Sequence, residues 1–145
     1  MRLPALVVAA ASLLGLLAGC GADPDIETDG SGAAASTPDG VDLSTAAFED
    51  QTASDEPRVD ALDNVFKAKF VQVRSGAEVT FRNDGRTAHN VLPVDEAQFA
   101  AVEVAEFEPG AEAAITFDEP GDYAYYCSLH GTTTKGMVGA VRVVE

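Results

Sequence analysis

From about Arg58 onward, apolar and polar residues alternate in short runs broken by turn signals. Val79 and Phe81 alternate with Glu78, Thr80 and Arg82, and Ala113, Ile115 and Phe117 alternate with Glu112, Ala114 and Thr116. A period of two over such lengths predicts strands with one buried face. Val65 to Arg74 starts with Phe66, Ala68 and Phe70 on one parity and continues with Val71 and Val73 on the other. That slip of one residue predicts a bulge or a change of sheet. Ser75-Gly76, Asn83-Asp84-Gly85, Pro109-Gly110 and Asp118-Glu119-Pro120-Gly121 are turns. Thr87 to Leu92 is predicted as a strand carrying His89. Pro93 to Pro109 supports two readings: a short helix over Asp95 to Ala101, or an irregular edge strand using Val102, Val104 and Phe107. Tyr123, Tyr125 and Cys127 share a parity with Tyr126 opposite, and Met137, Gly139, Val141 and Val143 share another with Arg142 outward. About six or seven short strands at these spacings predict an all-β fold, an antiparallel β-sandwich.

The first residues follow another pattern. Met1-Arg2 is a short basic start, and Leu3 to Ala18 is apolar and rich in small residues, too short to span a bilayer comfortably. It reads as a signal peptide over residues 1–19, ending in Leu17-Ala18-Gly19-Cys20. This ending resembles the bacterial lipobox, which implies lipidation of Cys20 and a membrane anchor of more than one acyl chain. Residues 20–60 are rich in Gly, Ala, Ser, Thr, Asp and Pro, with Ile26, Val41, Leu43 and Phe48 as the larger apolar side chains. Such a stretch is predicted to be a flexible tether with a span on the order of 35 Å, and at most a short helix forms near Ser44 to Asp50. Residues 61–145 are left as the folded domain.

Charge changes the picture only in part. The net charge is −15, which argues against nucleic acid and against adsorption to an anionic membrane. Eleven acidic residues face Arg58 alone between Gly21 and Asp60, whereas thirteen face seven basic ones from Ala61 onward. The excess is therefore concentrated in the tether, where it solubilises. A basic partner is not indicated.

The candidate chemistry sits on one loop and one distant residue. Cys127, His130 and Met137 lie between two strand-like runs, and His89 lies upstream. The chain has two His, and apart from Met1 and Cys20 all its soft ligands fall in this set. With Cys20 lipidated, Cys127 is an unpaired thiol in an exported protein and needs a reason. One thiolate, two imidazoles and a weak thioether are the ligands of a blue-copper site, which serves both copper oxidation states with little rearrangement.

Gly-Asp-Tyr-Ala-Tyr-Tyr-Cys-Ser-Leu-His followed by Gly-Met-Val-Gly-Ala-Val-Arg-Val resembles the C-terminal copper loop of the plastocyanin/cupredoxin family. Val-Arg-Ser-Gly-Ala-Glu-Val-Thr-Phe-Arg-Asn-Asp and the later Ala-His-Asn resemble its upstream half, so the likeness runs from about Val59 to Glu145. It implies a Greek-key, cupredoxin-like sandwich with one type 1 copper. His89, Cys127 and His130 would be equatorial ligands and Met137 axial. Asn90 would tie the two ligand segments together near Ser128. One departure stands out: the plastocyanin loop usually has about four residues between the second His and the Met, and here Gly131 to Gly136 intervene.

The function expected is a lipid-anchored, monomeric electron carrier exchanging single electrons with redox proteins outside the cytoplasm, and not an enzyme. A Cys127–His130 nucleophile pair would need an orienting third group and an oxyanion hole, and neither is readable. A zinc site would also accept Cys and two His, but the spacing and the β pattern favour copper. Two further readings stand beside electron transfer: a copper-delivery lipoprotein of the same fold, and an interaction module without redox activity. Delivery sites often carry extra Met or His, and this chain has none to spare. Tyr126, outward beside Cys127, is either a contact for electron entry or an ordinary exposed strand residue.

Overall fold

A computed structural model describes residues 40–145. The expected signal peptide, Cys20 and the first half of the expected tether lie outside the described residues. Among those described, nine strands form two sheets. They are β1 (Glu49–Asp50), β2 (Arg58–Leu62), β3 (Val65–Lys67), β4 (Phe70–Arg74), β5 (Ala77–Asn83), β6 (Leu92–Pro93), β7 (Glu112–Phe117), β8 (Gly121–Gly131) and β9 (Gly136–Val144). One sheet has the order β1-β4-β9-β8-β6 and the other β3-β2-β5-β7. A 3₁₀ turn spans Val104–Glu106.

The alternation read from the chain becomes the core. Val79, Phe81, Ile115 and Phe117 from one sheet and Val71, Val73, Tyr125, Cys127, Val141 and Val143 from the other are buried in a single cluster. Tyr125 joins the layers: Phe66 and Phe81 approach it edge-on at centroid distances of 5.0 and 5.2 Å. Each ring so buried contributes about 1.5–3 kcal/mol of hydrophobic stabilisation. Gly139 makes room for Tyr125, since a Cβ there would lie 2.5 Å from the phenol oxygen.

The parity slip in Val65 to Arg74 is a change of sheet. β3 belongs to one sheet and β4 to the other, and Ala68 between them adopts φ 59°, a left-handed conformation that alanine takes at a cost. Lys69 then accepts a bond from Ala140 N at 3.0 Å, so the crossing chain is stitched to β9.

Several expectations change. The sheets are mixed: β1 with β4, β4 with β9 and β2 with β5 run parallel. Chain segments that switch sheets place non-consecutive strands side by side, and alternation within one strand carries no record of its neighbour's direction. Residues 87–90 are not a strand, and pairing begins only with a Val91–Val102 bridge and β6. The boundary at residue 60 moves upstream. β1 pairs with β4, Phe48 lies 5.7 Å from Phe70, and the Arg142 guanidinium sits 4.0 Å from the Phe48 ring centroid. No helix forms over Ser44 to Asp50; a turn at Leu43 to Ala46 leads into β1. Pro93 to Pro109 follows neither reading fully: Val102 is bridged, and Val104 lies in the 3₁₀ turn.

Candidate metal centre

β2 and β5 run parallel and end together at Leu62 and Asn83, and the loop beyond β5 meets the end of β8. That end of the sandwich collects the ligand-type residues. Cys127 lies inward on β8, fully buried, with a free thiol. Its Sγ is 3.7 Å from Nδ1 of His89 and 3.6 Å from Nδ1 of His130. The three ligand atoms lie within 4.8 Å of one another. His89 is fully buried, whereas His130 is partly exposed.

His89 is held by its loop rather than by a ladder. Its backbone N donates to Phe107 O at 3.1 Å. The buried Asn83 side chain donates to Phe107 O at 2.8 Å and Thr87 O at 2.9 Å, and accepts from Gly85 N at 3.0 Å. One amide thus satisfies the backbone of a loop that makes no sheet bonds, which is what burial requires. Asn83 was read from the sequence only as part of a turn. Nothing in Asn-Asp-Gly distinguishes an asparagine that marks a turn from one that folds back inside it. The Nε2 edge of His89 is buried and has no hydrogen-bond partner among the described residues. Burial, and then the like charge of His130, pushes the ionisation of His89 below the ordinary histidine range, with Asp63 opposing.

Asn90 and Ser128 are hydrogen-bonded to each other. Asn90 Nδ2 donates to Ser128 Oγ, and Ser128 N donates to Asn90 Oδ1, each at 2.9 Å. The longer loop between His130 and Met137 is closed at its base. Gly131 pairs with Gly136, and Thr132 N donates to Lys135 O at 2.9 Å, so residues 132–135 project as a small hairpin. Met137 follows directly and is fully buried at the start of β9. The extra residues therefore leave the chain path from His130 to Met137 short.

Two imidazole nitrogens and a thiol sulfur, gathered at a buried point with both Nδ1 atoms turned to the sulfur, form a soft, three-donor set. It fits a single type 1 copper. A sandwich with such a centre at one end defines the cupredoxin class. Residues 54–144 match the copper binding proteins of the plastocyanin/azurin family, and the chain belongs to that family. It is 34% identical over 86 residues to a chloroplastic plastocyanin of Oryza sativa subsp. indica, covering 54% of each chain. It is 32% identical over 88 residues to plastocyanin of Lactuca sativa, covering 54% of this chain and 87% of that one. The chain spans about half the length of the chloroplastic plastocyanins it matches. Among solved structures, amicyanin from Paracoccus versutus superposes with a TM-score of 0.52 at 26% identity, over 63% of this chain and 83% of that one. A purple cupredoxin from Nitrosopumilus maritimus shares the fold, with a TM-score of 0.52 at 23% identity over 61% of this chain and all of that one.

Proposed function

We propose that this protein carries single electrons outside the cytoplasm, using a copper held by His89 Nδ1, Cys127 Sγ, His130 Nδ1 and, axially, Met137. When bound, the copper supplies a one-electron couple between Cu(II) and Cu(I). The rest of the task falls to the chain. Cys127, His89 and Met137 are fully buried, so the set is rigid and shielded from water. His130 is the one member with exposure, and Leu129 beside it is 52% exposed. That arrangement suits an electron leaving through the His130 edge into a partner docked against Leu129. The single observation that carries the reading is the convergence of both Nδ1 atoms on the Cys127 sulfur. Burial of three of the four residues favours a resident metal over a cargo.

In this reading the protein is exported, monomeric and tethered to a membrane through lipidated Cys20, and its partners are redox proteins rather than nucleic acid. The test is an optical and EPR spectrum of the full chain with one equivalent of Cu(II). Intense thiolate-to-copper absorption with a narrow parallel hyperfine splitting, bleached reversibly by ascorbate, is expected. A pale spectrum of ordinary copper, or tight binding of Cu(I) alone, contradicts it and favours delivery. Metabolic labelling with a fatty acid, lost in Cys20→Ala, tests the anchor.

A further inference from the structure

The turn that follows β5 touches the back of His89, and a pair of charges outside the copper site holds it there. Gly85 is wedged between two layers. A Cβ on it would lie 3.1 Å from His89 Nε2, 3.2 Å from Asn83 Oδ1 and 3.2 Å from the backbone N of Asp63. The glycine thus lies between the β2–β3 turn and the imidazole edge. Asp63 closes this stack from outside. Its carboxylate accepts from Arg86 N at 2.7 Å, from Arg86 Nε at 2.9 Å and from Arg86 Nη2 at 2.5 Å. Three donors from one residue grip one carboxylate across 23 positions of sequence, and Asp84 N adds a bond to Ala61 O at 2.9 Å. The Arg86 side chain is 89% exposed, so an isolated pair there would contribute little to stability. Its position gives it another use.

We infer that the Asp63–Arg86 clamp is a positioning device for His89: it presses the Asn83–Arg86 turn onto the imidazole and keeps Nε2 dry and without an acceptor. This rests on His89 being a copper ligand. A ligand histidine that donates its second N–H becomes a more basic ligand, and a more basic ligand favours Cu(II). Among the described residues His89 Nε2 has no acceptor, and its burial under the turn keeps water from it. The clamp therefore holds the reduction potential up. Opening the turn lets water accept from Nε2, and the potential falls.

The test is the double variant Asp63→Ala/Arg86→Ala in the full chain, which leaves the net charge unchanged. Through-space charge effects of the two residues are removed together, so a shift reports the clamp. The expected result is a lower reduction potential with the type 1 spectrum retained, and several-fold faster exchange of the Arg86-region amides in the copper-free protein. The charge-neutral pair Asp63→Asn/Arg86→Gln, which keeps an acceptor for the backbone N of residue 86, should recover part of the potential. Faster exchange with an unchanged potential reduces the pair to a structural contact and overturns the inference. Unchanged exchange and potential overturn it as well. If the double variant does not retain copper, the charge-neutral pair Asp63→Asn/Arg86→Gln gives the same comparison with the turn bonded less firmly. Absence of a type 1 spectrum in the unmodified protein is the separate failure of the copper reading.

Discussion

Asn90 and Ser128 exchange two hydrogen bonds of 2.9 Å across 38 residues of chain: the Asn90 amide donates to the Ser128 hydroxyl, and the Ser128 backbone N donates to Asn90 Oδ1. They join the loop of His89 to the strand end of Cys127, so the two halves of the ligand set cannot move independently. Asn90→Ala leaves the Ser128 N–H without its partner, and the loss is about 1–3 kcal/mol. Copper dissociation should quicken and the EPR lines broaden. An unaltered off-rate to a competing chelator would mean that the loop is fixed by Asn83 alone.

Cys127→Ala removes the sulfur on which both imidazoles converge. The intense visible absorption should vanish completely, with any remaining copper giving an ordinary spectrum. Persistence of the band would sink the ligand assignment.

Met137→Leu keeps the buried volume nearly constant and deletes the weak thioether donor. The blue colour should remain and the potential should rise, measured by titration against a redox mediator. An unchanged potential would remove Met137 from the set.

Gly136 has φ +83°, and a Cβ on it would lie 2.6 Å from His130 O and 2.8 Å from Gly131 Cα. Gly136→Ala must open the base of the hairpin, at a cost of about 1–3 kcal/mol. Thermal unfolding should begin lower, and the optical spectrum should shift because His130 and Met137 flank the pinch. A variant with unchanged melting and colour would show the pinch to be dispensable.

In the copper-free protein His89 ionises below its ordinary value, because burial disfavours the imidazolium and His130 adds like charge. The unfolded chain then takes up a proton near pH 6.5 that the folded chain refuses. This contribution is complete above about pH 6.5 and is lost as pH falls through the depressed folded-state value. Denaturant midpoints should drop between about pH 7.5 and pH 5.5, before carboxylates titrate. A rising midpoint over that interval would contradict the burial of His89.

The strands β5, β7, β8 and β9 were legible because each has one face in the core and one in water, so alternation survives in the residue order. The stretch from Thr87 to Asn90 was not. Its apolar and polar residues resemble a strand, but its backbone is satisfied by the Asn83 amide and the Phe107 carbonyl, partners 24 residues apart. β1 was missed for a related reason. Two residues of pairing and a guanidinium over Phe48 leave no periodic trace.

Residue types and spacing alone determined that one thiol, two imidazoles and a thioether compose the candidate centre, since the chain has almost no other soft donors. They also determined a β-sandwich, because burial on alternate positions is a local property of a pleated chain. Tertiary structure decided what no local pattern encodes: that both Nδ1 atoms turn toward the Cys127 sulfur, that the sheets are mixed, that the long loop is pinched between Gly131 and Gly136, and that Asp63 and Arg86 lock a glycine against His89. Each of these depends on which distant groups become neighbours. That is set by how the core closes, and no single stretch of the chain contains it.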